Sequence, residues 1–194
     1  MKKRLQETPS QTAGPYVHIG LLPDVAGINV KHHGIAGHTG LSGGTPIVIT
    51  GVVRDGAGEI VKDALLEIWQ PGSDGQFGDD KLEGGPHGFA RCHTDFETGE
   101  FRFETIKPGP VAWTDGSPQA PHITLMIFAR GINIHLHTRI YFADEADANA
   151  TDPVLNAITD GGETLLAKPD TSSNNSYRFD VSLQGEAETV FFDI

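Results

Sequence analysis

Glycine and proline close nearly every apolar run in this chain, and that punctuation limits what it can fold into. Pro46-Ile-Val-Ile-Thr-Gly-Val-Val-Arg54 stops at Asp55-Gly56-Ala57-Gly58, and Ala64-Leu-Leu-Glu-Ile-Trp69 stops at Pro71-Gly72-Ser73-Asp74-Gly75. Phe89 to Thr94 is separated from Glu100 to Thr105 by Glu97-Thr98-Gly99. Runs this short, rich in Val, Ile, Phe and Thr, cannot supply the long stripe an amphipathic helix needs, and they read as strands. Asp-Gly supplies the positive φ of a tight turn. Ile123 to Ala129 is apolar on both faces, and an alternating run continues from Ile132 to Phe142. Tyr177 to Leu183 and Glu188 to Asp193 read as closing strands. The expectation is an all-β fold, a β-sandwich of about eight short strands.

The helical content is small. Asp144 to Ala150 reads as one short helix, and Asp152-Pro153 as the start of a second reaching Ile158. Residues 1–22 read as an N-terminal extended arm, because Pro9, Gly14 and Pro15 argue against a helix. Residues 23–194 form the sandwich domain. Between the strands ending at Thr105 and beginning at Ile123, Pro108, Pro110, Gly116, Pro118 and Pro121 impose a rigid loop, the place where a β-protein builds a site.

Charge and cysteine usage narrow the partners. The formal net charge is −12, which disfavours nucleic acid and anionic membrane surfaces. A single cysteine, Cys92, permits no internal disulfide and suits a reducing compartment. No apolar run approaches the roughly 20 residues of a membrane span, and the charged start Met1-Lys2-Lys3-Arg4 lacks the apolar core of a signal peptide. These features suggest a cytoplasmic protein.

Several residues invite a chemical reading. His135 and His137 share a face if the run is a strand, and with His122 they could meet one metal. The plainer reading is a pair of solvent or subunit-contact histidines. Arg130 interrupts two apolar runs, where a cation needs water, an anion or a partner chain. Cys92 lies beside Arg91 and His93, yet an idle thiol is the simpler assignment.

Six segments then carry a resemblance: Thr8-Pro-Ser-Gln-Thr-Ala-Gly-Pro-Tyr16, Leu66-Glu-Ile-Trp-Gln70, Thr105-Ile-Lys-Pro-Gly-Pro110, Ala120-Pro-His-Ile123, Ile140-Tyr-Phe142 and Tyr177-Arg-Phe-Asp180. Together they resemble the intradiol ring-cleavage dioxygenases, and Phe128-Ala-Arg-Gly-Ile-Asn-Ile-His-Leu-His-Thr-Arg139 is like the α subunit of a heteromeric member. The resemblance implies a β-sandwich and ring opening of a catecholic aromatic acid by dioxygen. It implies ferric iron, Fe(III), held by two tyrosines and two histidines. Carried onto this chain, those four positions are Phe77, Val111, His122 and Thr124, so only His122 keeps a donor. The resemblance therefore implies a subunit with no catalytic residue and no metal of its own. The iron would sit on a homologous β subunit in an αβ multimer. Thr12, Gly14, Pro15, Tyr16 and Arg130 would help form the substrate pocket across the interface. His135 and His137 are not the family's ligand pair. The residues alone leave open a self-sufficient metalloenzyme built on His122, His135 and His137, and a non-enzymatic β-sandwich binding module.

Overall fold

The computed structural model describes residues 11–14, 16–28, 37–78, 88–171, 173 and 175–193. Its longest strand, β1 (Pro46–Arg54), is the hub of one layer. It pairs antiparallel with β4 (Glu100–Ile106) and parallel with β10 (Ser176–Arg178) and β11 (Val181–Ser182). The β-branched residues of β1 suit the pleat, and Ile47, Ile49 and Val53 point into the core. The one residue that breaks the pattern has a steric reason. A Cβ on Gly51 would lie 1.8 Å from the Phe179 carbonyl oxygen and 2.7 Å from the Phe101 ring, so only glycine admits this approach.

The second layer is built on β2 (Leu65–Trp69). It pairs antiparallel with β3 (Phe89–His93) on one side and with β7 (His122–Phe128) on the other. β8 (Leu136–Phe142) lies antiparallel beside β7, and β9 (Leu166–Pro169) joins β8 to β10. The layers meet through Phe101 and Phe103 from one side and Leu66, Ile123, Leu125, Ile140 and Phe142 from the other. A two-residue pair, β5 (Val111–Ala112) with β6 (Pro118–Gln119), forms in the proline-rich loop. Among the described residues the main sheet has nine strands, and the all-β sandwich is as the sequence indicates.

Several expectations need correction. The residues before Tyr16 are irregular from 11 to 14, but Tyr16–Leu21 is a helix, α1. Pro9, Gly14 and Pro15 all precede it in sequence, where a missing amide costs no intrahelical bond. Residues 1–10 and Pro15 lie outside the described residues. β9 has no counterpart among the expected strands, because a four-residue Leu-Ala-Lys-Pro segment has no readable period. Conversely, Glu188 to Asp193 forms no strand. Its Val190 amide is taken by the Thr164 hydroxyl at 3.1 Å rather than by a ladder. The Asp144–Ala150 expectation appears as α2 (Ala146–Asn149), and the Asp152–Ile158 expectation shrinks to a single 3₁₀ turn at Leu155–Ala157. No described helix is long and apolar enough to cross a membrane.

Candidate functional site

β7 carries both candidate regions, one near each end. At its start, His122 sits opposite Tyr141 of β8 and its ring packs 5.4 Å from the tyrosine ring. The His122 Nδ1 lies 2.8 Å from the Ala120 carbonyl. A carbonyl only accepts, so Nδ1 donates and Nε2 keeps the lone pair. Burial, and then the Arg139 cation, hold this imidazole down at about 4. The Tyr141 hydroxyl accepts from Arg139 Nη1 at 3.0 Å and donates to Asp152 Oδ1 at 3.3 Å. Burial pushes that phenol up to about 12. Arg139 also donates to Gln119 Oε1 at 2.9 Å. Asp152 is fully buried, and it accepts from the amides of Ala120, Val154 and Leu155 at 2.7 to 2.8 Å.

The other three expected positions gather at the same end. Thr124 faces Trp69 on one side and Arg139 on the other in the sheet register. Phe77 stacks on Trp69 with ring centroids 5.8 Å apart. Val111 pairs with Gln119, the partner of Arg139. The four positions offer one imidazole lone pair, one hydroxyl and two hydrocarbon side chains. Ferric iron prefers anionic oxygen donors, and the Arg139 cation stands against a second positive charge. This set does not fit iron.

Immediately past the far end of β7, Ala129 to Ile132 makes a tight turn, closed by the Ile132 amide on the Ala129 carbonyl at 3.1 Å. Gly131 has φ of 86°, the positive value that position requires. Arg130 therefore stands on the corner, with a side chain 74% exposed, and forms an ion pair from Nε to Asp63 Oδ2. The Gly131 amide donates to Thr12 Oγ1 at 2.7 Å. Arg91, oriented by Glu67, donates to the Leu21 carbonyl at the end of α1. The arm is thus tied to the sheet at both of its described ends. Between arm and sheet lies a cavity of about 340 Å³ lined by Gly14, Val17, Ile19, Phe96, Asp63 and Arg130, among others. Tyr16 beside it is 80% exposed. The structure therefore brings Thr12, Gly14 and Arg130 together, with Tyr16 on the adjoining surface.

The histidine triad is not assembled. His137 faces Met126 on β7, four residues from His122, which is about 13 Å along a strand. His135 precedes β8 and packs on Phe128 instead. No group of three metal-binding side chains occurs among the described residues. Cys92 is buried, and burial raises its thiol to about 12. Sequence reasoning misses Tyr141, Asp152, Gln119 and Asp63 as parts of these regions. Strand register and long-range hydrogen bonds reveal them.

Known proteins resemble the chain in family, in sequence and in fold. The dioxygenase family matches residues 24–185. The chain is 49% identical over 195 residues to the protocatechuate 3,4-dioxygenase alpha chain of Pseudomonas putida, covering 97% of each. It is 32% identical over 161 residues to the beta chain of the same enzyme from Burkholderia cepacia, covering 75% of this chain and 67% of that one. Among solved structures, 3-chlorocatechol 1,2-dioxygenase from Rhodococcus opacus superposes with a TM-score of 0.61 at 21% identity, covering 75% of this chain and 62% of that one. That last likeness speaks to the fold.

Proposed function

The chain belongs to the intradiol dioxygenase family, and we propose that within it the chain serves as the α subunit of a protocatechuate 3,4-dioxygenase. Assembled with a β subunit, it takes part in the opening of protocatechuate between its two hydroxylated carbons. One molecule of dioxygen is incorporated and the product is 3-carboxy-cis,cis-muconate. Iron on the β subunit supplies the ring-opening chemistry. This chain supplies walls and charge.

One observation supports this division most strongly. The four ligand positions retain a single imidazole nitrogen, beside a buried Arg139–Tyr141–Asp152 network that satisfies its own polar groups. A site so closed leaves catalysis to a partner. Arg130 and the arm fit the complementary role. An Arg on an exposed corner presents paired N–H groups of the kind that grip a ring carboxylate. Tyr16, Ile19, Phe96 and Ile134 are exposed apolar side chains that suit burial against another subunit.

The test is co-expression with a protocatechuate 3,4-dioxygenase β chain. The expected result is a stable complex that consumes protocatechuate and dioxygen in equal amounts, while this chain alone consumes neither. Failure to associate with such a β chain, or turnover by the isolated chain, contradicts the proposal. In the complex, Arg130→Ala raises KM for protocatechuate about tenfold, the scale of one charge-assisted hydrogen bond. An unchanged KM removes Arg130 from the pocket.

A further inference from the structure

The sheet register places a carboxylate opposite Arg130. Leu65 of β2 faces Phe128 of β7. Continuing that antiparallel register by two residues on each strand sets Asp63 opposite Arg130, and the side chains meet there. Opposite charges directly across a strand pair stabilise each other. The two partners are unequally exposed, at 24% for Asp63 and 74% for Arg130. The carboxylate sits behind and the guanidinium in front. Asp63 takes Nε, the side edge of the guanidinium, and no other partner of Arg130 occurs among the described residues. The end edge, with its parallel Nη1 and Nη2 donors, is not engaged by Asp63. That edge can accept a carboxylate in the two-bond mode that arginine favours.

We propose that Asp63 is a positioning residue: it holds Arg130 by the Nε edge so that the Nη1/Nη2 edge meets the ring carboxylate of the substrate. The inference rests on the assignment of Arg130 to the pocket, and adds the group that aims it. A free arginine side chain loses considerable rotamer entropy when it binds. Asp63 restricts that freedom before the substrate arrives. The neighbouring tie between Gly131 and Thr12 Oγ1 fixes the backbone from which the side chain starts. Asp63 and Arg130 also share the wall of the 340 Å³ cavity with Phe96 and Phe128, which offer an apolar face to an aromatic ring.

The experiment uses the assembled αβ enzyme with three variants of this chain: Asp63→Ala, Asp63→Asn and Arg130→Ala. Two probes are used. One is protocatechuate, and the other is an uncharged catechol, measured by KM or, where it is not turned over, by its competitive inhibition constant. Asp63→Ala is expected to raise KM for protocatechuate about fivefold with kcat unchanged, less than loss of Arg130 itself, since the guanidinium remains but is no longer aimed. The uncharged catechol should bind as before. Asp63→Asn keeps an oxygen that accepts from Nε, and should restore KM to within about twofold of the parent. The proposal is overturned if Asp63→Ala leaves KM for protocatechuate unchanged while Arg130→Ala raises it. It is also overturned if Asp63→Ala weakens both probes equally, or if Asp63→Asn behaves as the alanine variant. If Arg130→Ala is itself silent, the assignment of Arg130 fails, and that outcome is distinct from a failure of Asp63 alone.

Discussion

The two ends of one strand have opposite characters. At the His122 end of β7 the polar groups are turned inward and answered by the chain's own side chains. At the Arg130 end a cation, an arm and several apolar side chains are turned outward. The closed end is a self-contained polar network. Phe77 and Val111 offer no oxygen there; the buried imidazole donates to the Ala120 carbonyl, the phenol is held between Arg139 and Asp152, and Gln119 takes a second bond from Arg139. The open end is arranged differently. Its groups are positioned by internal ties, yet the Arg130 and Tyr16 side chains stay largely exposed.

If the closed end is a self-sufficient structural network, breaking it should cost stability. Asp152→Ala removes the acceptor for three amides and the Tyr141 hydroxyl. The expected loss is about 4 kcal/mol in urea or thermal unfolding. A loss below about 1 kcal/mol would mean the network is not what holds this end.

The same end should respond to pH. Folding lowers His122 from its ordinary 6.5 to about 4. Above 6.5 both states are neutral there and the group leaves stability at its full value. As pH falls from 6.5 towards 4, the unfolded chain takes up a proton that the folded chain refuses. Stability therefore declines through that window, by up to about 3 kcal/mol. Unfolding curves from pH 7 to pH 4 should show this slope, and His122→Gln should flatten its share. An identical slope in the variant would place the titration elsewhere.

At the open end the effects should be smaller and local. Thr12→Val removes the acceptor for the Gly131 amide, worth about 1 kcal/mol. Hydrogen exchange at Gly131 should quicken, while the unfolding midpoint of the domain stays nearly fixed. A domain-wide loss would erase the contrast between the two ends. The smallest effect is at Cys92, which lies in neither region. Buried, and with its thiol raised to about 12, it should resist alkylation in the native chain and react only after unfolding.

The strands are legible in the sequence because glycine and proline mark their limits and because β-branched residues fill them. Helix α1 is not, because Pro9, Gly14 and Pro15 read as breaking this stretch when they only precede the helix. β9 escapes because four residues carry no period. That Phe77, Val111 and Thr124 are poor donors for iron is readable from side-chain chemistry, once motif positions are assigned by resemblance. The network around His122 is not readable. Tyr141 lies nineteen residues after His122 in sequence and opposite it in the sheet, and only strand pairing brings them together. Asp63 and Arg130 are separated in the same way. The His135–His137 pair is the converse case. It is conspicuous in sequence, but the register sets its second member four residues away from His122.

The most direct test is metal analysis of this chain purified alone and in complex with its β subunit, from cells grown in iron-replete medium. The account predicts no iron in the isolated chain, no change in its melting temperature on treatment with a chelator, and one iron per αβ pair in the complex. Stoichiometric iron in the isolated chain, with a melting temperature that falls when the iron is removed, would contradict it.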